Sequence, residues 1–197
     1  MSAPSWSAQN QRWLVAALAR VRRLLEAHAG TGDPSAPGAE GEAEAARGME
    51  APPALVRVAE AFGLSAFERD VLLLCAGTEL DASFAAAVLA AGGAPRPTFS
   101  LALAVLPEPH WSALAPAGPL RGWRMMEVGA GDSLTTSPLR ADERILHFLA
   151  GVDAPDERLH GIAEPLHAEG PLPPSHAAAA ERLAALWSAS AAPPPLP

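Results

Sequence analysis

The placement of proline and glycine limits most strongly what this chain can fold into. The 197 residues include 21 prolines and 16 glycines, and many of these lie between Gly30 and Pro53 or after Gly170. Clusters of this kind favour open, extended chain over packed structure. The folded part is therefore expected to be about 120 to 140 residues, which is a common size for one domain.

The core must be assembled from few large side chains. Hydrophobic residues make up 49% of the chain, but alanine accounts for much of that figure and aromatic residues are only 5%. Leucine, valine and alanine should therefore fill most of the interior. The large side chains predicted to anchor it are Phe62, Phe67, Phe84, Phe99, Trp111, Trp123 and Phe148.

The charge limits which partners the chain can bind, and the cysteine content limits its disulfide and thiol chemistry. All 14 basic residues are arginine, and 22 acidic residues bring the formal net charge to −8. Phosphate binding needs a clustered basic face, so this balance argues against a nucleic-acid partner. The single cysteine, Cys75, excludes an internal disulfide. It lies in the apolar run 71–76 and is expected to be a small buried residue rather than a reactive thiol.

No arrangement of residues indicates enzymatic chemistry. The chain contains no lysine, which rules out a P-loop, and it has no Gly-x-Ser-x-Gly nucleophile motif. Glu157 with His160 and Glu164 with His167 have Glu-x-x-His spacing, but neighbouring prolines interrupt any helix that could aim them. Glu143 is expected to make only a surface contact with His147. The sequence therefore predicts no catalytic residue, no metal ligand and no cofactor-binding residue.

The N-terminal part, residues 1–29, is predicted to be an amphipathic helix. Ser7 can cap its start, and apolar residues recur at helical spacing from Trp13 to Leu25. This face should dock on the chain's own domain, because it lacks the broad basic face of a membrane-binding helix. Residues 30–52 are rich in Gly, Pro, Ala and Glu, and we interpret them as a flexible linker.

Residues 53–151 begin with a helix-turn-helix pattern. A helix that ends at Gly63 is followed by Ser65 and Glu68, which have the spacing of a capping box and open a second helix through about Ala76. Asp81 can then cap a third helix, residues 82–91. Glu68, Arg69 and Asp70 are expected to face outward on the second helix. A DNA reader would instead present Arg, Asn, Gln or Ser there.

A small hairpin is predicted after these helices. Thr98 caps a short helix, residues 123–128 alternate as a strand, and residues 133–139 form a return strand that Pro138 restricts to a sheet edge. Asp142 then starts a helix that Gly151 closes. The sequence thus predicts a mainly α, winged-helix-like domain with a small β-hairpin.

Residues 152–197 carry a weaker pattern. A short helix is predicted over residues 156–162 and an alanine-rich helix over residues 175–187. The chain ends in the proline-rich run 193–197, which is typical of a linker.

Three stretches together resemble a known family. In order and spacing, residues 62–76, residues 97–104, and residues 119–124 with 138–146 are similar to the N-terminal, winged-helix-bearing region of a bacterial AAA+ ATPase family. Members of that family are found with phage-tail-like contractile injection systems. The resemblance covers about residues 53–151. It implies a hexameric parent whose ATPase module, following the linker, would bind ATP and Mg²⁺, and it assigns no nucleotide-binding residue to this chain.

The leading hypothesis is a non-catalytic N-terminal accessory domain of such an ATPase, which recognises protein partners or positions the motor. The alternatives are a winged-helix DNA-binding regulator and a stand-alone protein-interaction adaptor. No signal peptide is evident, and no stretch reaches the roughly 18 uninterrupted apolar residues that a membrane span requires. A cytoplasmic location without membrane contact is therefore expected.

Overall fold

Helices make up most of the fold, and several of them begin at a capping side chain. A computed structural model describes residues 5–32, 40–152, 157–162 and 170–189. The chain divides into two units, Met1–Asp156 and Glu157–Pro197. The described helices of the first unit are α1 (Trp6–His28), α2 (Glu40–Ala46), α3 (Ala54–Phe62), α4 (Ala66–Leu80), α5 (Ala82–Gly92), α6 (Phe99–Val105), α7 (Pro119–Gly122) and α8 (Glu143–Leu149).

A two-stranded antiparallel hairpin completes the first unit. Strands β1 (Met126–Val128) and β2 (Leu139–Ala141) pair with Glu127 opposite Arg140. A 3₁₀ turn at Trp111–Leu114 precedes α7. The predicted fold class, mainly helical with a helix-turn-helix and a small hairpin, is confirmed.

Helix α1 is part of the core rather than a separate appendage. Its apolar face is buried from Trp13 to Leu25 and belongs to the same hydrophobic cluster as α4 and α5. The predicted docking of this helix on its own domain is therefore confirmed. Its cap is Ser5, whose hydroxyl accepts a hydrogen bond from the Ala8 amide at 3.3 Å, so the prediction of Ser7 as cap was wrong by two residues.

The structure differs from the predicted flexible linker over residues 30–52 at one element. Helix α2 lies within that range, and its Glu42 accepts a hydrogen bond from Nε of Arg20 at 2.5 Å. Ala45 and Ala46 pack against the core cluster. Alanine and glutamate are good helix formers, so a short helix forms here once α1 supplies a surface to pack on.

The helix-turn-helix of α3 and α4 forms as predicted at its turn. Gly63 ends α3 with φ of 67°, and both hydrogen bonds of the Ser65–Glu68 capping box are present. Helix α4 runs to Leu80, four residues beyond the predicted end. Asp81 caps α5 by accepting from the Ser83 amide at 2.8 Å.

Two acidic residues expected on the outside of α4 are buried, so that prediction was wrong. Glu68 is held in the capping box, and Asp70 accepts two hydrogen bonds from Arg20, at 2.8 and 2.5 Å. Burial alone would lower the pKa of Arg20, but its hydrogen bonds to Asp70 and Glu42 outweigh burial and raise that pKa above its ordinary value. Both buried carboxylates are therefore structural: Glu68 caps α4, and Asp70 joins α4 through Arg20 to α1 and α2.

The hairpin is shorter than predicted and shifted along the chain. The first strand begins at Met126 rather than Trp123, because α7 and the turn after it occupy the preceding residues. The return strand begins only at Leu139, because Ser133 and the residues after it form a turn closed by a hydrogen bond from the Ser137 amide to the Ser133 carbonyl at 3.0 Å. Pro138 lies just before the strand and forms an isolated bridge with Thr98.

Five of the predicted aromatic core residues lie in or against the core, and two do not. Phe67, Phe84 and Phe99 are fully buried, while Phe62 and Phe148 are partly buried. Trp111 is 64% exposed and Trp123 is 62% exposed, so the prediction that they anchor the core was wrong.

Cys75 should be chemically inert in the folded protein. Its thiol is buried, and burial raises its pKa to about 12, so it stays protonated at neutral pH. We expect no reaction with Ellman's reagent at mildly alkaline pH in the native state, and rapid reaction of one thiol in concentrated guanidinium chloride. Rapid labelling of the native protein would contradict the burial of Cys75.

The second unit has little described structure. A 3₁₀ turn at Glu157–Leu159 replaces the predicted helix over 156–162, and helix α9 spans Pro174–Ala189. Glu164 and His167 lie outside the described residues.

In the described part of the chain no single helix is long and apolar enough to cross a membrane. Helices α4 and α5 reach that length and apolarity only as a pair bent by 120°.

Candidate functional site: an aromatic surface beside the α3–α4 turn

Two exposed tryptophans define the candidate site. Trp111 is the first residue of the 3₁₀ turn, and Trp123 follows directly after α7. Large aromatic side chains bury 150–250 Å² when covered, so two of them left mostly in solvent are a large apolar area for so small a domain. We refer to Phe62, Trp111 and Trp123 as the aromatic surface.

Buried neighbours determine that the tryptophans face outward. In the 3₁₀ turn, Ala113 and Leu114 are buried, which leaves Trp111 on the opposite side. Leu120 in α7 is fully buried, and Met125 after the helix is 1% exposed. Trp123, which lies between them in sequence, is exposed to solvent. These buried side chains therefore anchor the 3₁₀ turn and α7 to the core and leave Trp111 and Trp123 on the surface.

Both tryptophans lie beside the α3–α4 turn. The ring of Trp123 meets the ring of Phe62 edge-on, with centroids 5.3 Å apart and an angle of 61°. On the Trp111 side, Nε2 of His110 lies 2.7 Å from Oγ of Ser65, the residue that caps α4. The His110 ring also packs edge-on against buried Phe67 at 5.2 Å. These contacts fix both loops to the rigid helix-turn-helix.

Strained backbone flanks the aromatic surface on both sides. In the described part of the chain, Glu108 and Arg124 are the non-glycine residues with positive φ, 53° and 52°. This left-handed conformation costs an L-residue roughly 1–2 kcal/mol and is usually occupied by glycine. One strained residue lies three positions before Trp111 and the other directly after Trp123. Strain of this kind clusters at binding sites, where the surrounding structure holds it in place.

The charged groups near the aromatic surface are unevenly placed. Arg121 donates from Nη1 to the Leu114 carbonyl at 2.6 Å, which ties α7 to the 3₁₀ turn. Arg124 is exposed. Residues 109–126 contain these two cations and no acidic residue, whereas Glu108 lies on the Trp111 side. Arg121 and Arg124 therefore place two cations beside Trp123 in sequence, and Glu127 follows three residues after Arg124.

The described acidic and histidine residues do not cluster. Among the described residues, no group of three or more His, Cys, Asp or Glu side chains could hold a metal ion. Glu143 and His147 form the predicted surface contact, with Nε2 and Oε1 3.5 Å apart.

Sequence reasoning nominated no binding residue and missed the aromatic surface. The signal that could have found it is weak: both tryptophans lie in segments broken by proline and glycine, where no helical periodicity assigns them to a buried face.

The fold defines a mostly helical domain that carries a helix-turn-helix and a small hairpin. The family model described as "Winged helix domain, variant" matches residues 7–163, and the chain belongs to this family. No curated protein and no solved structure matches the chain. Winged-helix domains are typically non-catalytic, and membership suggests a regulatory or interaction role.

Proposed function

We propose that this chain is a non-catalytic protein-recognition domain, the N-terminal accessory region of an AAA+ ATPase. The observation that carries the recognition role is the aromatic surface, with Trp111 and Trp123 each more than half exposed on rigidly anchored loops. Tryptophan and arginine are the residues most enriched at the energetic centres of protein interfaces. Trp123 lies between Arg121 and Arg124, so tryptophan and arginine occur together in one short segment.

The same geometry disfavours DNA as the partner. Helix α4 occupies the reading position of the helix-turn-helix, yet its residues from Phe67 to Gly77 are almost all buried and could not enter a groove. Helix α7, before the hairpin, has four residues and spans only about 6 Å. Residues 98–141 carry three arginines and three acidic residues, which is no basic face.

The ATPase parent is the finer part of the proposal. It is supported by the family resemblance over about residues 53–151. The winged-helix membership of the chain is compatible with this parent and with the alternatives alike. In this proposal ATP and Mg²⁺ are ligands of a hexameric ATPase module elsewhere in the parent. The parent acts in the cytoplasm, without membrane contact, in a contractile injection system. Reading the coding sequence past residue 197 tests this part. A Walker motif in the same frame supports the parent, and a stop codon there would leave a stand-alone adaptor.

The recognition role is tested against the DNA-binding alternative by fluorescence anisotropy. We expect no saturable binding of the full chain to a random-sequence duplex at low salt, because non-specific affinity depends on clustered basic charge and this chain has a formal net charge of −8. Saturable binding that weakens as salt rises would overturn the proposal in favour of a DNA-binding regulator.

A further inference from the structure

We propose that the aromatic surface binds an acidic segment of a protein partner. Apolar side chains of that segment pack on Trp111 and on Trp123, and its carboxylates face Arg121 and Arg124. This inference rests on the proposed protein-recognition function and adds the chemistry of the partner.

The apolar half of the recognition comes from preorganised rings. Trp123 is 62% exposed, yet its ring is held edge-on by Phe62, so little side-chain freedom remains to be lost on binding. Trp111 follows His110 in sequence, and the capping serine of α4 holds the His110 ring by a hydrogen bond. A partner's aliphatic or aromatic side chain laid on either ring removes apolar area from water on both partners.

The charged half comes from Arg121 and Arg124, which form no ion pair with a described acidic residue. No carboxylate of the described residues lies within ion-pair distance of Arg121 or Arg124. Arg121 is fixed by its hydrogen bond to the Leu114 carbonyl and keeps its other guanidinium donors for a ligand. Arg121 and Arg124 flank Trp123 in sequence, so we expect the partner's acidic residues at the Trp123 end.

The backbone at Arg124 supports a binding role for this cation. Its φ of 52° is a conformation that glycine would adopt at lower cost, and Arg124 there places a charge beside Trp123. The tryptophans and arginines could also stack and pair with single-stranded nucleic acid. The chain's net charge of −8, with Glu108, Glu127 and Asp132 close in sequence, opposes an extended polyanion such as nucleic acid. A short segment with one or two carboxylates can face Arg121 and Arg124 alone, so we propose a peptide rather than a nucleic acid.

The experiment begins with a phage-displayed random-peptide library panned against the full chain. The strongest binder is then synthesised and titrated by calorimetry. We expect enriched sequences to combine an apolar residue with Asp or Glu. Replacing those acids by their amides should weaken binding about threefold, the size expected for exposed charge pairs.

Two variants assign the binding to the aromatic surface. Trp123→Ala should weaken binding at least about tenfold, as expected for an interface anchor, whereas Val15→Ala, an exposed apolar residue on α1, should not. Arg124→Gly should weaken it about threefold without harming the fold, because glycine suits the left-handed backbone. Arg144→Gln, an exposed arginine on α8, is the matched control.

The outcomes separate this inference from the proposed function. Enrichment of neutral or basic peptides that still require Trp123 would overturn the acidic partner and leave protein recognition standing. Failure to enrich any peptide, or binding that is insensitive to Trp123→Ala and Arg124→Gly, would also overturn the inference. Oligothymidine that quenches tryptophan fluorescence and loses affinity in Trp123→Ala would refute both the inference and the proposed function.

Discussion

Asp70→Ala should destabilise the domain by about 3–5 kcal/mol, the cost of leaving a buried charge without its partner. Asp70 is 2% exposed and Arg20 is 14% exposed, and two hydrogen bonds join them. Removing the carboxylate leaves a guanidinium inside the protein with only Glu42 to compensate it. Urea unfolding followed by circular dichroism measures the loss as a lower midpoint with an unchanged slope.

Glu79→Ala is the matched control for this prediction. Glu79 pairs with Arg96 across 3.6 Å, but both side chains are more than a third exposed, so the loss should be about 0–1 kcal/mol. Equal losses in the two variants would show that Asp70 contributes no more than a surface ion pair. In that case the description of a buried network joining α1, α2 and α4 would be wrong.

Asn10→Leu should cost roughly 2–5 kcal/mol, because it leaves two buried backbone groups without partners. Asn10 is 1% exposed, and its amide donates to the Leu149 carbonyl at 2.9 Å and accepts from the Ala54 amide at 2.8 Å. One side chain thus joins α1 to the start of α3 and the end of α8. Leucine is similar in volume and favours helix, so the loss reports the hydrogen bonds rather than a cavity.

Gln11→Leu provides the comparison on the solvent side of the same helix. Gln11 is exposed, and its substitution should change the free energy of unfolding by less than about 0.5 kcal/mol. If Asn10→Leu is equally mild in urea unfolding, the tie that Asn10 makes between the two ends of the domain is not needed for stability.

The local signals in the sequence predicted the helices well. Ser65 with Glu68, Asp81, Thr98 and Asp142 all cap the helices for which they were proposed. Each of these caps acts on an amide two or three residues away, so the residues involved are neighbours in sequence. The winged-helix-like class followed from the order of these elements and a turn-rich segment before the last helix.

The features that sequence reasoning missed depend on distant partners. Asp70 was assigned to the polar side of α4, but its partner Arg20 lies 50 residues earlier. The Leu149 carbonyl, which accepts a hydrogen bond from the Asn10 side chain, is 139 residues away in sequence. Nothing in helical periodicity distinguishes a buried, satisfied polar residue from an exposed one.

The tryptophans were misplaced for a different reason. Aromatic side chains are usually buried, and Trp111 and Trp123 were predicted to be buried on this general tendency alone. A four-residue 3₁₀ turn and a four-residue helix are too short to have a periodicity that could correct it. Their exposure depends on Leu114 and Leu120 filling the core beneath them.

Site-specific photocrosslinking in the native cells is the most direct test of whether the aromatic surface contacts a protein. Benzoylphenylalanine replaces Trp123 in one variant and Val15, which is 59% exposed on α1, in the control. We expect irradiation to join position 123, and not position 15, to a defined protein identified by mass spectrometry. No protein adduct at position 123, equal adducts at both positions, or an adduct to nucleic acid would contradict protein recognition by this surface.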